Sequence, residues 1–212
     1  SFISFSTEAY LNMRNDPRRT QVFAEAIRQR LRGREGELVV LDIGTGPEAL
    51  LAIMAARAGA KKVYAVEVMP AVAAAARQAI SEASDVPEGC IELFEGFSTE
   101  LELPPGEKAD LLVAEIVGNV ASAEGIYATM HDAQQRLLRR PKDPLSYIPL
   151  VVETLCAPMS YTEHHPQIGP ANFDWDAVRA HAPPPKFSTE TTAVLPLAPP
   201  QRLEHLRFDE PL

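Results

Sequence analysis

The stretch Leu38-Val39-Val40-Leu41-Asp42-Ile43-Gly44-Thr45-Gly46 decides the fold. Its first six residues are a short, nearly continuous apolar run, the pattern of a parallel strand covered on both faces, and it ends in glycines. Pro47 and Glu48 come next and suit the first turn of a helix. Proline loses no needed N–H there, and a carboxylate complements the positive end of the dipole. The expectation is strand, glycine turn, and a helix running to about Gly59.

The same alternation continues outward. Upstream, Val22, Phe23, Ala26, Ile27 and Leu31 are spaced by threes and fours, which predicts a helix over 20–33. Downstream, Lys62 to Val68 reads as a strand and Pro70 opens an alanine-rich helix to about Ala83. Ile91 to Gly96 and Ala109 to Glu115 read as further strands, with a helix over 124–139. Repeated βα units imply a parallel sheet with helices on both sides, a Rossmann-like α/β domain.

From about Ser146 the character changes. Tyr147 to Leu155 is strand-like, and a proline-rich tract follows with Pro183, Pro184, Pro185, Pro196, Pro199 and Pro200. Proline confines strands to edges or short lengths. The reading is therefore a cofactor-binding domain over 1–148 with N-terminal helices, and a β-rich unit over 149–212.

Composition narrows the class. Of 212 residues, 46% are hydrophobic and 23% charged, ordinary globular usage. A net charge of −9 argues against direct nucleic-acid binding. No window approaches the ~18 apolar residues of a membrane span, and the start lacks a signal-peptide pattern. Cys90 and Cys156 are the only cysteines and have no metal-ligand spacing, so they read as free thiols in an intracellular setting. His164 and His165 have no further ligands at suitable spacing, and no metal is assigned.

The first constellation that carries chemistry is Asp42-Ile43-Gly44-Thr45-Gly46, at the carboxyl end of the first strand, where an open α/β sheet leaves a crevice for ligand. Glu67 ends the second strand, where a carboxylate can accept from both hydroxyls of a nucleoside ribose. A nicotinamide cofactor is disfavoured: the third glycine of its loop is missing, and Asp42 would repel a diphosphate. Asp42 would instead suit the cationic amino-acid moiety of S-adenosylmethionine. The second constellation is Glu115 and Glu124, which bracket a loop containing Gly118. Two acids facing one crevice match the planar fork of a guanidinium, and one of them can take a departing proton.

These residues resemble the protein arginine methyltransferases in four stretches over about the first 155 residues. Tyr10-Leu11-Asn12-Met13-Arg14-Asn15-Asp16-Pro17-Arg18-Arg19-Thr20 is similar to the family's N-terminal segment, and Arg19 would there pair with the cofactor carboxylate. Leu41 to Gly46 with Val63 to Glu67 resembles the cofactor loop and the strand after it. By that resemblance Gly44, Gly46, Glu67 and Val68 hold the cofactor. Gly96-Phe97-Ser98-Thr99-Glu100 resembles the segment beside the adenine, which implies contacts from Ser98 and Thr99. Glu115 and Glu124, nine positions apart, resemble the family's double-glutamate loop, the guanidinium clamp.

The resemblance implies S-adenosyl-L-methionine as cofactor, S-adenosyl-L-homocysteine as product, an arginine-containing protein or peptide as substrate, and a cytoplasmic or nuclear homodimer. The wording is most like the monomethylating branch. A partial β-barrel-type domain is implied after Ile148-Pro149-Leu150 and a dimerisation arm over Tyr161 to Phe187, and the sequence reaches Leu212 before the Thr-His-Trp loop expected of the family. Three departures stand out. Pro47-Glu48 replaces the usual threonine and glycine, the loop between the glutamates lacks aromatic residues, and Trp175, the only tryptophan, has another context. They keep two alternatives open, a methyltransferase for a small molecule or another side chain, and a catalytically inactive scaffold.

Overall fold

The structure, a computed structural model, describes residues 7–118, 120–161 and 194–211. The elements in chain order are helices α1 (Thr7–Asn15) and α2 (Pro17–Leu31), strand β1 (Val39–Ile43), helix α3 (Leu50–Arg57), strand β2 (Lys62–Glu67), helix α4 (Pro70–Glu82), strands β3 (Ile91–Glu95) and β4 (Leu111–Ala114), and helix α5 (Ile126–Arg136). Strands β5 (Tyr147–Ile148), β6 (Val151–Cys156), β7 (Met159–Tyr161), β8 (Val194–Pro196) and β9 (Gln201–Arg207) complete them. Five strands form a sheet in the order β3-β2-β1-β4-β5, and every pair in it is parallel. The chain reverses direction across the sheet between β1 and β4, and ligands bind at such switch points in open α/β sheets.

All five residues of β1 are buried, which is why the run reads as apolar rather than alternating. Its side chains still divide by period two. Val40 packs with Ile27, Leu31, Ala52 and Ala56 on one face, and Val39, Leu41 and Ile43 pack with Ile126, Met130 and Tyr147 on the other. Alanines at 52, 55, 56, 73 and 76, all fully or nearly buried, let α3 and α4 lie close on the strands.

Among the boundaries that differ from the periodicity, three do so for a backbone reason. The helix expected from Pro47 begins at Leu50, because Ala49 holds a left-handed φ of 44° and closes a turn by donating its N–H to the Gly46 carbonyl at 3.2 Å. The helix expected over 124–139 begins at Ile126. Gly125, at φ 82°, separates it from a short 3₁₀ turn over Ala121–Glu124, so Glu124 does not sit in the first α-helical turn. The strand-like run 147–155 is divided into β5 and β6 around Pro149, which has no N–H for a ladder.

The described chain forms two compact units, Ser1–Glu153 with Glu204–Leu212, and Thr154–Leu203. The sequence reading carried the second unit through residue 212, but residues 204–212 belong with the first. Phe208 explains it: the ring is fully buried and lies 6.3 Å from that of Tyr147, and its carbonyl accepts from Gln134 Nε2 at 2.6 Å. Burial of a phenylalanine contributes about 1.5–3 kcal/mol. Beyond the main sheet, β6 pairs with β9 and β7 pairs antiparallel with β8. Most of Tyr161 to Phe187, with His164, His165 and Trp175, lies outside the described residues.

Candidate active site

A parallel sheet sends every strand toward one end, so the loops after β1, β2 and β4 meet there. They enclose a cavity of about 540 Å³. Its floor is the glycine loop. Gly44 and Thr45 donate their N–H groups to the Val66 carbonyl at 2.9 and 3.0 Å, which fastens the loop to the end of β2. Gly44 takes φ 78°, and a Cβ there would fall 2.4 Å from Ile116 Cγ2, so the loop after β4 closes down on it.

Glu67 is 6% exposed at the last residue of β2. Its Oε2 accepts from the Gly46 N–H at 3.1 Å and its Oε1 from the Met69 N–H at 2.9 Å. Two backbone donors fix the carboxylate in place at the edge of the cavity. Tyr10, from α1, also lines the cavity. Burial first, then the negative charges of Glu67 and Glu124, push its phenol above the usual value.

The second wall is built from α2 and β4. Asp16 caps α2, accepting from the N–H groups of Arg18 at 2.9 Å and Arg19 at 3.4 Å, with Pro17 in the first turn. That cap sets Arg19 so that its Nε donates to Glu115 Oε2 at 2.8 Å, with Nη2 reaching the same oxygen. Across the loop, Glu124 lines the same cavity. Gly118 lies under it, and a Cβ there would meet Glu124 Cγ at 3.2 Å and Ala123 Cβ at 3.0 Å. With no side chain at Gly118, the loop folds tightly against Glu124.

Of the residues singled out in the sequence, Arg19, Gly44, Gly46, Glu67, Val68, Ser98, Glu115 and Glu124 all line the cavity. Asp42 does not. Its carboxyl is fully buried behind the loop, where Oδ2 accepts from the Thr45 hydroxyl at 2.6 Å. Burial pushes it up to about 6, against the opposing pull of the Thr45 bond. It shapes the loop from behind, outside the cavity lining. Thr99 is exposed and outside the lining, because the 3₁₀ turn Ser98–Glu100 directs its neighbour Ser98 inward instead. Arg19, expected on a cofactor carboxylate, is engaged with Glu115.

Sequence reasoning missed one pair. Arg14 Nη1 lies 2.6 Å from Glu48 Oε1, joining α1 to the cofactor loop, and both residues line the cavity. A carboxylate in the loop at the family's threonine–glycine position was the available signal, since such a charge calls for a cation nearby.

The family model for ribosomal protein L11 methyltransferase (PrmA) matches residues 18–134, more than half of the chain, including β1 to β4 and the cavity loops. Protein arginine N-methyltransferase PRMT10 of Arabidopsis thaliana is 33% identical over 139 residues, 64% of this chain and 34% of that protein. Protein arginine N-methyltransferase 7 of Aedes aegypti is 38% identical over 137 residues, 61% of this chain and 20% of that one. The chain thus spans about a third or less of the length of these curated relatives. The crystal structure of the Arabidopsis thaliana protein arginine methyltransferase 10 superposes with a TM-score of 0.56 at 32% identity, over 63% of this chain and 36% of that one. The PRMT1 enzyme-prozyme complex of Trypanosoma brucei with AdoHcy gives 0.62 at 24% identity, over 83% and 48%, a likeness of fold. By the family model the chain belongs to the methyltransferases that the model describes, and it is similar to protein arginine N-methyltransferases in sequence and in its sheet.

Proposed function

We propose that the chain binds S-adenosylmethionine in this cavity and transfers its methyl group to a guanidinium nitrogen of arginine in a protein substrate. One observation carries the reading: Glu115 and Glu124 line the same cavity as the glycine loop and Glu67, and Glu115 already holds a guanidinium, that of Arg19. A site that seats one planar cation against a part-buried carboxylate has the chemistry to seat another.

The residues fit the cofactor. Glu67, desolvated and fixed by two amides, suits ribose hydroxyls, the bare glycine loop admits close backbone approach, and Ser98 suits the adenine side. S-adenosylmethionine supplies a methyl group activated by its sulfonium. Glu115 and Glu124 align the acceptor guanidinium, concentrate electron density on the attacking nitrogen, and take its proton. The products are methylarginine and S-adenosylhomocysteine. By the same reading the protein is an intracellular homodimer, cytoplasmic or nuclear, in keeping with its free thiols Cys90 and Cys156.

The scaffold alternative drew its support from Glu48 and from the missing Thr-His-Trp loop; the charge of Glu48 is balanced by Arg14. Calorimetric titration with S-adenosylhomocysteine, followed by transfer of labelled methyl to arginine-rich peptides, tests the reading. Binding lost in Glu67→Ala together with labelled arginine supports it. Binding without arginine labelling points to another acceptor, and no binding at millimolar ligand leaves the scaffold.

A further inference from the structure

Glu204 stands on β9, 82 positions from the loop that carries Glu124, yet its carboxylate holds that loop. Oε1 accepts from the Ser122 hydroxyl and Oε2 from the Ser122 N–H at 3.3 Å. Ser122 lies in the 3₁₀ turn Ala121–Glu124, two residues before the glutamate. A turn of four residues has little cohesion of its own and needs outside partners for its first N–H groups.

The strut is anchored at its other end. Four residues after Glu204, Phe208 is fully buried, and its N–H donates to the Leu150 carbonyl at 3.0 Å. Gln134 of α5 donates to the carbonyls of Phe208 at 2.6 Å and Glu210 at 3.0 Å. Because α5 follows the 3₁₀ turn directly, β9 is tied both to the helix after the loop and to the loop itself. Gly118, whose missing Cβ makes room for Glu124 Cγ, closes the loop on its other side.

We propose that Glu204 is a positioning residue for the acceptor clamp: through Ser122 it holds Glu124 where, with Glu115, it receives the substrate guanidinium. The role in catalysis rests on the arginine-transfer reading, whereas the strut itself does not. Glu204 lines none of the cavity, so its loss acts on the acceptor and leaves the cofactor alone.

The experiment compares the full chain with Glu204→Ala, Glu204→Gln and Ser122→Ala. Hydrogen exchange at the amides of 120–125 reads the strut without turnover, and S-adenosylhomocysteine titration and steady-state transfer to an arginine-rich peptide read its effect. In Glu204→Ala, exchange at Ser122 accelerates about tenfold or more, kcat/KM for peptide falls about tenfold, and cofactor affinity stays within about twofold. Glu204→Gln keeps an acceptor and recovers part of both changes, which a general loss of folding would not allow. Ser122→Ala reproduces the peptide effect. Unchanged exchange, or unchanged kcat/KM with accelerated exchange, overturns the proposal. If the wild-type chain methylates no arginine peptide, the proposed function falls, and the exchange data still decide whether Glu204 holds the loop.

Discussion

Arg19 and Glu115, 96 positions apart, meet at a single carboxylate oxygen: both Nε, at 2.8 Å, and Nη2 of Arg19 donate to Glu115 Oε2. The Asp16 cap on α2 and the end of β4 thereby set the orientation of the acid. With side chains 23% and 20% exposed, the pair is only partly screened by water. Glu115→Gln and Glu124→Gln keep the volume and remove the charge. Turnover on arginine peptide should fall about a hundredfold or more in each, with S-adenosylhomocysteine affinity nearly intact by calorimetry. Weakened cofactor binding with normal turnover at saturation would reverse the assigned roles.

Glu67→Ala removes the carboxylate assigned to the ribose and strands the N–H groups of Gly46 and Met69. A hydrogen bond to a charged group contributes about 1.5–3 kcal/mol, so affinity for S-adenosylhomocysteine should drop by about ten- to a hundredfold. Turnover at saturating cofactor should change far less. Calorimetry and kcat at saturation separate the two effects, and unaltered affinity would remove Glu67 from the site.

The Arg14–Glu48 pair, 44% and 31% exposed, joins α1 to the cofactor loop. Exposed pairs couple by about 0.2–1 kcal/mol, so Arg14→Ala or Glu48→Ala alone should speed cofactor release by a few-fold at most. Stopped-flow release from the doubly exchanged variant, Arg14→Glu with Glu48→Arg, should return toward wild type, and the coupling should fade with added salt. Additive single effects would show that the contact does not hold α1 in place.

Asp42 makes stability depend on pH in the direction opposite to most carboxylates. Its usual value is 3.8 and the fold raises it to about 6, so between these values the folded chain binds more protons than the unfolded one. Stability from this group is therefore full below about pH 4 and declines until about pH 6, by a total on the order of 3 kcal/mol. Asp42→Asn keeps an acceptor for Thr45 and abolishes the titration. Denaturant melts from pH 4 to 7 should show the variant gaining on wild type as pH rises, and parallel curves would contradict the burial argument.

Four strands of the sheet were legible because β1, β2 and β4 are buried along nearly their whole length, which writes them as apolar runs, and glycine and proline mark their ends; β5 was not, since Tyr147–Ile148 read as the start of the second unit. The cavity residues were legible where the chain must place them at strand ends, as with Glu67 and Glu115. Asp42 misled because a carboxylate before a glycine turn reads the same whether it faces the crevice or lies behind it. The side is settled by the Thr45 hydroxyl and by packing that periodicity does not encode. Ala49 could not be anticipated either, since alanine in a left-handed conformation runs against its own propensity and is imposed by the loop around it. The Arg14–Glu48 and Glu204–Ser122 contacts join segments far apart in sequence, which no local pattern reports.

Gly44 also bears on heredity. Two unrelated demands fall on it, a left-handed φ and the 2.4 Å approach that a Cβ would make to Ile116. Trimming Ile116 to alanine would relieve the collision and leave the torsional demand untouched, while a neighbouring change that relaxed the turn would leave the collision. A lineage that loses this glycine therefore has no single compensating mutation open to it. In a screen for second-site suppressors, Gly44 variants should return true revertants alone.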